Sequence, residues 1–240
     1  MRILLVNVNT TPSATASMVQ VARAFVGPGT QVIGLTPTSG SAGVDSNVQS
    51  LLAAVGVMDQ VVRCPEPYDA VVLGGFGEHG REGLQELLEV PVVDIAEAAV
   101  HVAMMLGRTF SVITTLPRSV AQVQDRLLLA GLREHCVSVR SVGVSTRELD
   151  APDSIVGVVE TARAAVTQDA AEVLVLGCGG LAGLAELVSR EVGVPVVDPV
   201  ATGVVLAESL VRLGLKTSTV GSCAPPDLSA TSPWPPGDPL

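Results

Sequence analysis

The sequence predicts an α/β protein of two similar halves, each a mostly parallel sheet flanked by helices, with an active site in the cleft between them. Short Val/Ile/Leu runs alternate with amphipathic stretches, a pattern typical of βαβ units. One such unit occurs twice along the chain. The chain has 240 residues, of which 48% are hydrophobic and 16% charged, so it can bury a large core.

The strands are predicted where apolar runs are bounded by Gly, Pro, Asn or Asp. Each run is too short for a buried helix and is rich in β-branched residues, beginning with the Ile-Leu-Leu-Val run near the amino terminus. Buried parallel strands read as continuous apolar runs of this kind. The predicted strands are residues 2–7, 31–35, 70–73, 92–94, 110–114, 137–142, 172–176 and 196–198.

The helices are predicted in the intervening segments, where apolar residues recur every three or four positions. Their boundaries are less well defined than their existence. The predicted helices are residues 14–26, 45–62, 82–89, 95–106, 118–132, 153–168, 183–191 and 200–214. The proline-rich segment that follows can form neither a helix nor a central strand, so we expect it to be extended or disordered.

The repeated unit spans residues 69–107 and 171–214. Both copies contain a strand, a glycine-rich turn, a short helix, the sequence Val-Pro-Val-Val-Asp and a long apolar helix. Asp94 and Asp198 end the shared motif and are expected to end strands or to cap helices. We therefore predict a first domain of residues 1–97 plus about 205–222, a second domain of residues 98–204, and a proline-rich tail at residues 223–240.

Composition and charge exclude several classes of partner. Acidic residues outnumber basic ones by 24 to 14, and no Lys/Arg cluster exists to bind a nucleic acid or an anionic membrane. No apolar run is long enough for a membrane span, and the apolar start is too short for a signal peptide. The four cysteines are far apart, without metal-ligand spacing, and are expected to be thiols of a cytoplasmic protein. The sequence leaves homo-oligomerisation open.

The two glycine-rich turns predict where a ligand binds. They follow strands, and open α/β sheets bind ligands at the carboxyl ends of their strands. Facing each other, the turns would place Gly75 on one wall of a cleft and Cys178 on the other. A thiol at a helix N-terminus has a lowered pKa and can transfer a proton near neutral pH. A small buried cysteine without a chemical role is the alternative.

The chain resembles the aspartate/glutamate/hydantoin racemase superfamily, particularly its hydantoin and allantoin racemase branch. The matching stretches are ILLVNVNTT, VPVVDIAEAA, FSVITTL, VLGCGGL and VPVVDPVATGVVLAE. The resemblance implies a cofactor-independent racemase of 5-substituted hydantoins or allantoin, a small-molecule substrate and no metal. It implies that Cys178 transfers the proton. Asn9, Thr10, Thr114 and Thr115, with the backbone at Gly75, Phe76 and Gly179, would hold the substrate and stabilise the enolate.

One position departs from the family pattern. The branch carries a first catalytic cysteine in a Cys-Phe-Gly-acidic motif, where this chain has Gly75-Phe76-Gly77-Glu78. Glu78 or His79 is a candidate second base, as is a water molecule in the space at Gly75. Arylmalonate decarboxylase is similar in having glycine at this place and a single cysteine in Cys-Gly-Gly-Leu. A one-sided decarboxylase or isomerase, or a small-ligand binder without catalysis, is therefore the alternative function.

A nicotinamide site is a further interpretation of the same turn. Residues 75–80 fit the pattern G-x-G-x-x-G, with an aspartate downstream. The pattern lies well inside the chain, and the second copy of the repeat lacks it. We therefore expect no cofactor.

Overall fold

The protein contains two four-stranded parallel sheets with the same strand order. The structure is a computed structural model that describes residues 1–149 and 151–228. The first sheet has the order β2-β1-β3-β4 and the second the order β6-β5-β7-β8. The strands are β1 (Arg2–Val6), β2 (Gln31–Leu35), β3 (Ala70–Leu73), β4 (Val92–Asp94), β5 (Phe110–Thr114), β6 (Cys136–Ser141), β7 (Val173–Leu176) and β8 (Val196–Val197). The predicted fold class is confirmed.

Eight α-helices follow the eight strands within the described residues. They are α1 (Pro12–Phe25), α2 (Asn47–Val62), α3 (Arg81–Leu87), α4 (Ile95–Leu106), α5 (Ser119–Leu129), α6 (Pro152–Asp169), α7 (Ala185–Val192) and α8 (Pro199–Arg212). Each predicted helix is found, with ends that differ by up to three residues. No helix in residues 1–149 and 151–228 is both long and apolar enough to cross a membrane.

Each sheet is covered on both faces, because successive strand residues point to opposite sides. In the first sheet, Ile3 and Leu5 pack toward α1 and α8. Leu4 and Val6 pack toward α2 and α3 on the other face. The second sheet repeats this arrangement, with α4 and α5 on one face and α6 and α7 on the other.

The last helix of each half packs on the sheet of the other half. Helix α4 follows β4 of the first sheet, yet its Ala99 and Ala103 belong to the core of the second sheet. Helix α8 follows β8 of the second sheet, and its Val204 packs in the core of the first. The two helices also contact each other, and a Cβ atom on Gly203 of α8 would lie 3.0 Å from Cγ2 of Ile95. This exchange joins the halves.

The repeated aspartates cap these exchanged helices, as predicted. Oδ1 of Asp94 accepts a hydrogen bond from the Glu97 N–H at 2.8 Å. Oδ1 of Asp198 accepts from the N–H groups of Val200 and Ala201, both at 3.0 Å. Beyond α8, Thr217 bonds to the first half through the carbonyl oxygen of Val90 at 2.7 Å. Residues 229–240, most of the expected proline-rich tail, lie outside the described residues, and the predicted domain boundaries stay a prediction.

Candidate active site

A cavity of about 350 Å³ lies between the two sheets. It is lined by the segments that follow the carboxyl ends of β1, β3, β5 and β7, the four central strands. The parallel registers of β1 with β3 and of β5 with β7 bring these ends together in pairs. The two glycine-rich turns lie at this place, and we call residues 74–80 the first turn and residues 177–182 the second turn.

The backbones of the two turns lie against each other at Gly179, and the second turn packs closely on β5 at Gly177. A Cβ atom on Gly179 would lie 2.3 Å from the carbonyl oxygen of Gly74, closer than real Cβ atoms approach backbone. A Cβ atom on Gly177 would lie 2.5 Å from Cγ1 of Val112 and 3.0 Å from the carbonyl oxygen of Ile113. Glycine therefore permits the close contact that forms the floor of the cavity.

Cys178 lines the cavity from the second turn. Its Sγ accepts a hydrogen bond from the N–H of Gly180 at 3.4 Å. Burial raises the pKa of the thiol to about 11, and the Gly180 bond only partly offsets this effect. The expected lowering of the pKa was wrong. Cys178 precedes a 3-10 turn of three residues, Gly179–Leu181, and α7 begins only at Ala185, so no α-helix dipole acts on the sulfur.

His79 lines the cavity from the first turn, close to Gly75. A Cβ atom on Gly75 would lie 2.2 Å from Cδ2 and 2.7 Å from Nε2 of the His79 ring. The imidazole is 5% exposed, and its enclosed Nδ1 has no hydrogen-bond partner among the residues that the structure describes. Burial, and then the positive charge of Arg126, lower the pKa of His79 to about 4. The ring is therefore neutral at physiological pH.

Glu78, the other candidate base, does not line the cavity. Its Oε1 accepts from the Gly80 N–H at 2.8 Å, and its Oε2 pairs with Nη1 of Arg126 at 2.7 Å. Burial is the largest influence on its pKa, which is raised. Arg126 lies on α5 of the second half and also reaches Oδ2 of Asp94 at 3.3 Å. These ion pairs fix the first turn against the other half of the protein.

The segment after β1 is organised by a buried asparagine. Nδ2 of Asn7 donates to Oδ1 of Asn9 at 2.9 Å and to Oγ1 of Thr15 at 3.0 Å. Oδ1 of Asn9 in turn accepts from the Thr11 N–H at 2.9 Å. Asn7, Asn9 and Thr11 line the cavity, whereas Thr10 does not and instead bonds through its N–H to the carbonyl oxygen of Ser41.

The other predicted site residues meet in the same cavity. Thr114 and Thr115 are buried at the end of β5, and Oγ1 of Thr114 donates to the carbonyl oxygen of Gly177 at 3.5 Å. Phe76 packs against the cores of both sheets and, like Gly179, lines the cavity. Of the residues predicted to form the site, only Thr10 and Glu78 lie outside the lining.

Several polar lining residues were not predicted from the sequence. They are Ser13, Ser17, Ser50, Ser119, Gln122, Thr146 and Arg147. The spacing of Ser13 and Ser17, one helical turn apart on α1, is a signal that could have been used. The others come from loops or from helices whose polar faces carry no distinguishing pattern. Arg147 is the only permanently charged lining residue among those described, and no carboxylate lines the cavity.

The fold and the site define a two-lobed α/β enzyme with ionisable side chains in a cleft between pseudo-symmetric halves. No group of three or more His, Cys, Asp or Glu residues among those described is arranged to hold a metal ion. The model of the family described as Asp/Glu/Hydantoin racemase matches residues 3–207, and the chain belongs to this family. It is an isomerase of the racemase type.

Individual relatives agree with this assignment. The structure of allantoin racemase from Pseudomonas fluorescens is 53% identical with a TM-score of 0.93, over 95% of this chain and 97% of that one. A hydantoin racemase of Paenarthrobacter aurescens is 35% identical over 94% of this chain and 98% of its own length. Unliganded arylmalonate decarboxylase, 21% identical with a TM-score of 0.57 over 87% of this chain and 91% of that one, shares the fold.

Proposed function

We propose that the protein racemises a 5-substituted hydantoin, with allantoin as the first candidate, by proton transfer at ring carbon C5 through Cys178. The observation that carries the proposal is a thiol on a cavity of about 350 Å³ between two glycine-rich turns. Burial keeps this thiol protonated at neutral pH, so it is ready to donate a proton to a carbanion. Identity of 53% to an allantoin racemase supports this substrate.

The charge of the cavity favours an uncharged ring over a free amino acid. An amino acid carries an ammonium group, which needs an anionic partner when it is removed from water. No carboxylate lines the cavity within the described part of the chain, and its polar groups are amides, hydroxyls, one guanidinium, the imidazole of His79 and the thiol of Cys178. Such groups can bind the carbonyl and N–H groups of a hydantoin ring. The ureido group of allantoin is equally suited to polar side chains.

The enolate formed at C5 requires hydrogen-bond donors that are already in place. Asn9 is held by Asn7, and Thr114 and Thr115 are fixed at the end of a buried strand. These side chains, with the backbone at Gly75, Phe76 and Gly179, would bind the carbonyl oxygens on which negative charge develops. Thr10 would contribute only by ordering its loop, since it lies outside the cavity lining.

The test is incubation of each allantoin enantiomer, and of each enantiomer of a 5-benzylhydantoin, in heavy water. Optical rotation and deuterium at C5 are followed together against an enzyme-free blank. We expect loss of rotation with one deuterium gained per inversion, faster for allantoin. Exchange with retained rotation would instead support one-sided chemistry, as in a decarboxylase. Binding with neither exchange nor inversion would indicate a ligand-binding protein without catalysis.

A further inference from the structure

We propose that the imidazole of His79 is the second acid/base group of the site, acting from the first turn on the face of the substrate opposite Cys178. The inference rests on the proposed function, because it assigns the second proton transfer of the same reaction. Both side chains line the same cavity, one from each turn.

The position of the His79 ring supports this role. A Cβ atom on Gly75 would lie 2.2 Å from Cδ2 and 2.7 Å from Nε2 of His79, and 2.6 Å from Cγ1 of Val8, so the ring and Val8 together fill the space in which a side chain at residue 75 would begin. Nε2 also lies 3.1 Å from the position of a Cβ atom on Gly77. Two glycines thus leave room for the imidazole on the wall of the cavity.

The hydrogen bonding of the His79 ring is unusual for a buried histidine. A structural histidine in a protein interior normally has partners for its ring nitrogens, because an unpaired buried polar atom destabilises the folded state. The enclosed Nδ1 of His79 has no partner among the described residues. The backbone of Ser50 lies close to the ring and favours its protonated form. Because Nδ1 is enclosed, a ligand in the cavity can be reached only by the other ring nitrogen, Nε2.

The protonation states of the two groups complement each other. Burial and the charge of Arg126 lower the pKa of His79 to about 4, while burial raises that of Cys178 to about 11. Glu78 is the nearest acidic group in sequence, and its carboxylate is paired with Arg126. At neutral pH the first turn therefore presents a base and the second turn an acid. This pairing can invert the enantiomer whose C5 proton faces His79.

Inversion proceeds by two proton transfers on opposite faces of C5. The neutral imidazole removes the proton from C5, and the electrons of the broken C–H bond pass to the adjacent carbonyl oxygen as an enolate. The enolate collapses as Sγ–H of Cys178 delivers its proton to the opposite face. An imidazolium and a thiolate remain. They either catalyse the reverse inversion or return to the starting state by proton exchange with water.

The test compares His79→Gln with wild type, and uses His101→Gln, an exposed histidine on α4, as the control. Racemisation and C5 deuterium exchange are measured for each enantiomer separately. We expect His79→Gln to lower racemisation by at least about 100-fold. Slow exchange without inversion should persist for one enantiomer only, through Cys178. His101→Gln should match wild type.

A second variant distinguishes the loss of a catalytic group from a folding defect. Gly75→Cys combined with His79→Ala removes the ring and places a thiol in the space it leaves, and we expect racemisation to rise above that of His79→Ala alone. A folded double variant with no such rise would overturn the inference. So would a His79→Gln rate of racemisation within about threefold of wild type, because loss of a general base should lower the rate much further. If wild type itself neither exchanges nor inverts any hydantoin, the proposed function fails instead.

Discussion

Arg126 on α5 and Asp94 at the start of α4 form an ion pair of 3.3 Å that joins the two halves beside the first turn. The Asp94 side chain is 1% exposed and that of Arg126 is 12% exposed. Burial nevertheless raises the pKa of Asp94, because desolvation outweighs the attraction of Arg126. The same guanidinium forms an ion pair of 2.7 Å with Glu78, the residue before His79.

Arg126→Met should destabilise the protein by about 3–5 kcal/mol, because it leaves the buried Asp94 carboxylate without its ion-pair partner at 3.3 Å. Urea unfolding at pH 7 measures this change. The matched control is Arg163→Met, whose exposed pair with Glu191 at 3.4 Å should contribute less than about 1 kcal/mol. Equal losses in the two variants would show that the Arg126 pairs do not hold the halves together.

Gly75→Ala should destabilise the folded state by about 1–3 kcal/mol, because its methyl group would overlap the His79 ring. In a His79→Ala background the same substitution should destabilise the folded state less, since the ring is gone and only the 2.6 Å contact of the added methyl group with Cγ1 of Val8 remains. A double-mutant cycle measured by urea unfolding gives the coupling between the two positions. Additive effects would mean that the ring does not occupy this space.

Stability should depend on pH through His79. Its pKa is lowered to about 4 in the folded protein from about 6.5 in an unfolded chain, so the unfolded chain takes up the proton first. The contribution of the neutral ring to the free energy of unfolding is therefore complete above about pH 6.5 and is lost as the pH falls toward about 4. The difference in unfolding free energy between wild type and His79→Gln should shrink over this window. A constant difference would contradict the assigned pKa.

Cys178→Ala should lower racemisation by about 100-fold or more, since it removes one proton-transfer group. Initial rates with each allantoin enantiomer measure the loss. Cys136→Ala is the control, because the pKa of the Cys136 thiol is also raised to about 11, but Cys136 lies on edge strand β6 outside the cavity lining. Comparable losses in both variants would indicate a general effect of removing a thiol.

Much of this architecture is predictable from sequence because βαβ units have distinct periodicities. The run of β1 after Arg2 and the whole run of β3 are apolar, since parallel strands are buried on both faces. The Val-Pro-Val-Val-Asp repeat indicated the pseudo-symmetry, and the glycine-rich turns indicated the cavity. Cys178 was found by its position between glycines.

Other features depend on three-dimensional detail that the sequence does not encode locally. The pKa of Cys178 was predicted in the wrong direction because the sequence showed neither the burial that raises the pKa of the thiol nor the short 3-10 turn that follows it directly in place of an α-helix. The sequence left Glu78 and His79 equivalent as candidates. Only the packing of Arg126 from a distant helix shows that Glu78 is held by an ion pair while His79 lines the cavity.

A crystal structure of Cys178→Ala with allantoin bound tests the paired action of His79 and Cys178 most directly. We expect C5 to lie between residue 178 and the His79 ring, with Nε2 of His79 about 3–3.5 Å from C5 on the face opposite residue 178. A substrate ring bound elsewhere, or one presenting a single face of C5 to both residues, would contradict it.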